Sequence, residues 1–169
     1  KINSKMKFSH YIKRVETSSE FKKFKEKNPK AEICAGFFIL DFEQGKHSHQ
    51  IDYLLPKGKV ATFILDEGIK TKVSDVPTKV RKKLKAIKSD SKLDVDTLKG
   101  IVEDEMKNKM VTENIKKIIA VLQIIDGRLV WNLNCILGGM GILQVHVDDK
   151  DSSVLKFEKH SILDFIRKI

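Results

Sequence analysis

Cysteine, proline and glycine are scarce in this sequence, whose 169 residues include two cysteines, three prolines and nine glycines. Two cysteines without a Cys-x-x-Cys spacing exclude a disulfide-stapled fold, and the other low counts exclude collagen-like and low-complexity chains. No apolar stretch approaches the ~20 residues that are needed to cross a bilayer. Because 41% of the residues are hydrophobic and 33% are charged, the composition predicts a globular protein. Cys34 and Cys135 lie in apolar runs, which predicts buried free thiols.

Catalytic signatures are missing as well. The sequence has no Gly-x-Ser-x-Gly elbow, no His-Glu-x-x-His helix and no phosphate loop with its Lys and Ser/Thr. We therefore expect a protein that is not an enzyme and that carries no cofactor or metal. The compartment stays open between the cytoplasm and an extracytoplasmic site with a signal or anchor upstream of Lys1.

Positive charge is abundant and unevenly placed. The formal net charge is +10, and residues 1–30 and 77–92 are the two lysine-rich segments. Such clustering can attract a nucleic acid or an acidic surface. Only four of the basic residues are arginines, however, and phosphate and base recognition usually relies on the bidentate Arg fork. The candidate anion-binding residues are Lys22, Lys23, Lys79, Arg81, Lys82, Lys83 and Lys85.

An internal repeat organises the sequence. A shift of 82 residues aligns 31–66 with 113–148 without a gap, and 14 of the 18 apolar positions in the first window meet an apolar partner. Each copy predicts a helix followed by a meander of strands with Gly-containing turns; Asp126-Gly127 is a strong hairpin signal. The predicted strands are 31–42, 49–55, 60–65 and 69–73, and 115–125, 129–137, 142–147 and 154–157.

Helices are predicted before and after each meander. Thr17-Ser18-Ser19-Glu20 has the form of a capping box for the first helix, and Asp94 can cap the second. Closing helices are expected near Pro77, with Val80, Leu84 and Ile87 as the apolar face, and near Ser161, with Ile162, Phe165, Ile166 and Ile169. The prediction is an α+β fold of two units, residues 1–92 and 93–169, each a helix on an antiparallel meander of three to four strands, packed as one compact body.

The second unit resembles the PepSY-type, cystatin-like module. The resemblance lies in Val130-Trp131-Asn132-Leu133 and in the strand that runs through His146 into Asp148. In this family a tryptophan-bearing strand precedes a strand that ends in Asp, a turn and a short Val-Leu strand; here Ser152-Ser153 replaces the usual turn glycine. The resemblance implies a tandem pair of non-catalytic domains that bind or inhibit other proteins.

The sequence is compatible with three functions. The first is a binding or inhibitory module that engages another protein, the second an anion or nucleic-acid binder, and the third a small cavity enzyme or ligand carrier. The oligomeric state is not predicted. The runs 37–40 and 118–122 are apolar on both strand faces, which predicts central strands covered on two sides and leaves less open sheet for the first function. The candidate binding-surface residues are His47, His49, Gly138, Gly139, Met140 and His146.

Overall fold

Eight antiparallel strands make up most of the protein, which is described here over residues 7–167 by a computed structural model. All but the last strand lie within two residues of their predicted bounds, because alternating apolar side chains and turn residues mark them clearly. The strands are β1 (Glu32–Asp41), β2 (His47–Leu55), β3 (Lys59–Leu65), β4 (Ile69–Asp75), β5 (Ile115–Ile125), β6 (Arg128–Leu137), β7 (Gly141–Asp148) and β8 (Val154–Ser161). Lys1, Lys5 and Ile169, which belong to predicted features, lie outside the described residues.

All eight strands belong to one sheet, in the order β4-β3-β2-β1-β5-β6-β7-β8. The first strands of the two repeats pair with each other, from Gly36 opposite Leu122 to Asp41 opposite Lys117. The expected pair of cystatin- or PepSY-like units, each a helix on its own small meander, is therefore wrong: one sheet accounts for 45% strand against 28% helix. Pairing β1 with β5 removes two exposed strand edges that separate units would each have to protect.

The helices are short, and two of them differ from the prediction. The first helix, α1 (Phe8–Glu16), was not expected, although Phe8, Tyr11 and Val15 have helical spacing and are all buried. The third, α3 (Thr78–Arg81), covers a single turn, and the expected continuation through Leu84 and Ile87 is absent, because the Ile87 N–H donates to the Ile33 carbonyl at 2.7 Å instead. The helices are α1 (Phe8–Glu16), α2 (Ser19–Lys27), α3 (Thr78–Arg81), α4 (Leu98–Asn108) and α5 (Ile162–Arg167).

One hydrophobic core lies between the sheet and the helices α1, α2 and α4. We call the sheet face toward these helices the inner face. Over β2 and β3, Phe21 and Phe24 of α2 pack their rings against Tyr53 and Phe63, with centroids 5.1–5.9 Å apart. Over β1, Gly36 makes room for α1, since an added Cβ would lie 2.4 Å from the Phe8 ring. The same core continues under Trp131 and Leu133 of β6, so both repeats share it.

The segment 76–97 connects the two repeats by running along one end of the sheet. It passes the β2–β3 turn, where the Val76 N–H donates to the Gly58 carbonyl, and then the start of β1 at Ile33. It ends beside the β7–β8 turn, where Ser91 is hydrogen-bonded to Asp149. We call this end of the strands the linker end. The opposite end of the strands, where the β1–β2 and β6–β7 turns lie, is the far end.

Asp149 fastens the linker to the second repeat. Its carboxylate is buried and accepts hydrogen bonds from Ser91 Oγ (2.6 Å), the backbone N–H groups of Lys92 (2.7 Å) and Leu93 (3.3 Å), and Trp131 Nε1 (2.9 Å). Buried carboxylates are stable only where donors of this kind replace water. The contact therefore joins the linker, β6 and the β7–β8 turn at a single point.

Replacing this carboxylate should weaken the whole fold. Asp149→Asn leaves a buried amide that cannot accept from all four donors, and we expect the free energy of unfolding to fall by about 3 kcal/mol. Urea unfolding followed by the fluorescence of Trp131, the single tryptophan, measures it. Asp151→Asn in the same turn is the control: its exposed carboxylate accepts from Ser153, and we expect a much smaller loss than for Asp149→Asn, because water can replace this contact. Equal losses in both variants would contradict the fastening role.

Candidate functional site

The sheet face opposite the helices, which we call the outer face, has an apolar centre. Phe37 lies opposite Val121 and Ile39 opposite Ile119 across the β1–β5 pair. These four residues form the central apolar patch, and each keeps part of its surface exposed. Within residues 7–167, none of the four belongs to the hydrophobic core that the helices seal. The central strands are thus covered by helices on the inner face, and the patch on the outer face stays accessible.

Neutral polar side chains border the central apolar patch on both sides. Gln50 and Ser48 of β2 lie opposite Phe37 and Ile39. On the other side Asn132 and Asn134 of β6 lie opposite Val121 and Ile119, and beyond them come His146 and Gln144 of β7. We call this set the amide border: Ser48, Gln50, Asn132, Asn134, Gln144 and His146.

Two atoms of the amide border are buried without a hydrogen-bond partner, Asn132 Oδ1 and His146 Nε2. The two residues lie directly opposite each other in the β6–β7 pair. Burial, and then the charge of Lys156, lowers the pKa of His146, so this imidazole is neutral at neutral pH. The candidate residue His146 therefore does lie on the outer face, beside other polar groups with unused hydrogen-bonding capacity.

Charged groups stand mostly at the margins of the outer face, where several are paired and two exposed lysines lie on the edge strand β4. At the far end Asp41 is 3.7 Å from Lys117, and on the edge strand β8 Lys156 is 3.7 Å from Glu158. Asp52 accepts from Thr62 Oγ1 at 2.8 Å. Burial raises the pKa of Asp52. The surface around the patch is consequently close to electrically neutral.

The glycine-rich β6–β7 turn lies at the far end, away from His146. Gly139 and Gly141 approach the Glu113 side chain, which forms an ion pair with Lys159. Met140 is 58% exposed, and its carbonyl accepts from the Ile162 N–H at the start of α5. The candidate residues Gly138, Gly139 and Met140 thus form a turn held by β8 and α5, and the structure does not bring them together with the three histidines.

His47 and His49 lie on the inner face, where they line a cavity of about 210 Å³ that we call the aromatic pocket. His49 stacks on Tyr11 with ring centroids 4.6 Å apart, and His47 meets the edge of Phe42 at 6.1 Å. Lys99 Nζ lies 4.7 Å from the centre of the Phe42 ring. The sequence placed the two histidines on one strand face, but their aromatic neighbours come from α1 and the β1–β2 turn.

The candidate lysines of the second basic segment gather at the linker end. Arg81 lies against Gly58 of the β2–β3 turn, Lys83 and Lys85 face the β5–β6 turn, and Lys88 is 4.0 Å from Glu32. Lys22 and Lys23 are exposed on α2, one to two turns before its end. We call the cluster at the linker end the basic arc: Lys30, Lys57, Lys59, Lys79, Arg81, Lys82, Lys83, Lys85 and Lys88.

The cysteines and the acidic turn after β7 have structural roles. Cys34 and Cys135 are buried free cysteines, and burial raises the pKa of each thiol to about 12, so neither is a thiolate at neutral pH. In the acidic turn after β7, the carboxylates of Asp148 and Asp151 accept hydrogen bonds from backbone N–H groups of the turn itself.

No cluster of metal-ligating side chains occurs within residues 7–167. The longest helix there, α4, has 11 residues, and none could span a bilayer.

Comparison with known proteins adds one structural neighbour. No family model matches the chain, and no curated protein does. The crystal structure of a protein described as a "putative lipoprotein" from Clostridium difficile 630 has a similar fold, with a TM-score of 0.58 over 92% of this chain and 94% of that one. The sequences are 14% identical, so the likeness concerns the fold alone. PepSY-type or cystatin-like membership finds no support in these comparisons.

Matched substitutions on neighbouring residues test which sheet face is covered. Ile118 is fully buried on the inner face, whereas Ile119 belongs to the central apolar patch. We expect Ile118→Ala to lower the free energy of unfolding by about 3 kcal/mol, as for a core cavity, and Ile119→Ala by about 1 kcal/mol. Urea unfolding measures both, and similar losses would show that the outer face is covered.

His49 should make the protein less stable in acid. Its surroundings lower the pKa of His49, through burial first and then through the charges of His47 and Arg14. Below pH ~6.5 this histidine is protonated in the unfolded chain, whereas in the folded protein it stays neutral until a lower pH. The unfolded state is therefore favoured, and the free energy of unfolding falls as the pH drops. We expect His49→Gln to reduce the decrease in Tm between pH 7.5 and pH 5. His10→Gln, at an exposed histidine of α1, is the control, and an unchanged pH dependence in His49→Gln would contradict the assignment.

Proposed function

We propose that this protein is a non-catalytic binding module that holds an acidic partner protein against its outer face. The observation that carries the proposal is the central apolar patch, which lies in the middle of an eight-stranded sheet and outside the core. Exposed apolar patches with polar borders are typical of protein interaction sites. Phe37, Ile39, Ile119 and Val121 would meet the apolar part of the partner's surface.

The size of the outer face suits a protein partner. Eight strands spaced about 4.8 Å apart, each about nine residues long, form a surface on the order of 1,000 Å². Standard protein–protein interfaces bury about 800 Å² on each partner. The outer face can therefore supply a complete interface without the turns at either end.

The composition of the outer face follows the pattern of such interfaces. Their centres are poor in charged residues, and their rims are polar. Here the central apolar patch is uncharged, the amide border flanks it on both sides across the strands, and the Asp41–Lys117 ion pair adjoins it at the far end. Asn132 Oδ1 and His146 Nε2, which lack partners in the free chain, give the border polar atoms that a bound protein could satisfy after small side-chain rotations.

Charge favours an acidic partner. The nine cations of the basic arc outnumber the acidic residues at this end of the sheet, which are Glu32, Asp75, Asp90, Asp126, Asp148, Asp149 and Asp151, so the linker end is positive. It adjoins the nearly neutral outer face, and a positive rim accelerates the approach of a negatively charged protein. Lysine outnumbers arginine in the arc by eight to one, which favours this long-range attraction over the forked phosphate contacts of nucleic-acid binding.

Site-specific photo-crosslinking tests the proposal. The photoreactive residue p-benzoylphenylalanine replaces Ile119 in one variant and Lys23 of α2 in a second, and each is irradiated in lysate of the source organism. We expect a protein adduct at position 119 and none at position 23, and mass spectrometry should identify the trapped protein as acidic. The adduct should weaken as salt is raised, because screening shortens the reach of the basic arc.

A charge placed in the central apolar patch provides the matched variant. In the background that carries the photoreactive residue at position 119, Val121→Glu should reduce the adduct at least about tenfold, because a partner would bury the new carboxylate. Val73→Glu makes the same change at a 54% exposed position opposite inner-face Ala61 and should leave the adduct unchanged. Circular dichroism and Tm establish that both variants fold. The proposal would be overturned if adducts formed from position 23 only, or if the molecule crosslinked at position 119 were a nucleic acid or a second copy of the chain. An adduct yield at position 119 that Val121→Glu leaves unchanged would also overturn it.

A further inference from the structure

The aromatic pocket is separate from the outer face and has a different character. It lies on the inner face near the far end, between α1, the start of α4 and the β1–β2 hairpin. Leu40 and Val95, 5% and 3% exposed, give it an apolar floor, and the rings of Tyr11 and Phe42 form walls. Its volume of about 210 Å³ exceeds the ~150 Å³ of an apolar cavity that binds benzene. The pocket can therefore hold one ring or a branched aliphatic group together with a polar head.

Two opposite charges stand in the lining of this pocket. Asp96 and Lys99 are three residues apart where the chain enters α4, a spacing that puts them on the same side of a helical turn. The ion pairs found in residues 7–167 do not include one between them. Lys99 instead rests over Phe42, and Asp96 is exposed. A carboxylate and an ammonium group, both available, lie beside an apolar cavity.

From this arrangement we propose that the aromatic pocket binds a free α-amino acid with an apolar or aromatic side chain. The side chain enters between Tyr11 and Phe42 and rests on the apolar floor. The ligand ammonium pairs with Asp96. The ligand carboxylate pairs with Lys99, whose ammonium group moves away from the Phe42 ring to make this contact. A ligand with only one of these charges would leave either Asp96 or Lys99 without its counter-charge, so both charges contribute to selectivity.

Calorimetric titration of the full chain with three related probes tests the charge requirement. L-Phenylalanine carries both charges, phenethylamine only the ammonium, and 3-phenylpropanoate only the carboxylate. We expect saturable one-to-one binding of L-phenylalanine, and at least about tenfold weaker binding of the two single-charge probes. The imidazole resonances of His47 and His49 should shift during the titration, because both rings line the pocket.

Paired variants locate the binding site. Asp96→Asn and Lys99→Met should each weaken L-phenylalanine binding about tenfold or more. Asp96→Asn should change the affinity for 3-phenylpropanoate little, because this probe has no ammonium group. Lys99→Met should change the affinity for phenethylamine little, because that probe has no carboxylate. Asp104→Asn and Lys107→Met make the same changes at exposed positions further along α4, and they should bind as the unaltered protein does. Tm values establish that all four variants fold.

Each contrary result is decisive. Absence of L-phenylalanine binding to the folded protein would overturn the proposal. So would equal affinity for the three aromatic probes, because the pocket would then recognise a ring and not a zwitterion. Binding that is insensitive to both Asp96→Asn and Lys99→Met would place the ligand elsewhere. None of these results bears on the outer face, whose crosslinking test concerns β5.

Discussion

The pairing of β1 with β5 determines the architecture of this protein. It joins two four-stranded meanders edge to edge. From the central β1–β5 pair toward either edge of the sheet, the strands of each meander therefore follow in the same order, first to fourth. Two equivalent antiparallel strands are related by a local two-fold axis perpendicular to the sheet, and such a rotation leaves each face of the sheet on its own side. Helices that precede the two meanders therefore cover the same face. One shared core follows, and so does an outer face that none of the helices within residues 7–167 covers.

This arrangement explains why the central strands are apolar on both sides. On the inner face Phe38 and Leu40 of β1 are buried beneath the helices. On the outer face Phe37 and Ile39 contribute instead to the central apolar patch. In a sequence, apolar residues on both faces usually indicate a strand buried between two layers. Here the second layer is missing from the described chain, and the proposed partner protein would take its place.

The sequence predicts the local structure of this protein better than its assembly. Strands could be located because alternation and turns such as Asp126-Gly127, whose residues both have positive φ, are local signals. Pairing between β1 and β5 depends on residues about 80 positions apart, and no local pattern encodes it. The linker shows the same limit. Val80, Leu84 and Ile87 have helical spacing, yet the hydrogen bond from Ile87 to Ile33 holds an extended path along the sheet end.

The candidate histidines show how alternation predicts a shared face without identifying which face it is. His47 and His49 are two residues apart on β2 and do lie on one side. That side is the inner face, because Ile51 and Tyr53, which continue the alternation, are buried in the core. His146 stands between Val145 and Val147, both fully buried, and so must face outward. Once a strand's buried residues are known, the face of each polar neighbour follows, and the three histidines are divided between an inner pocket and an outer surface.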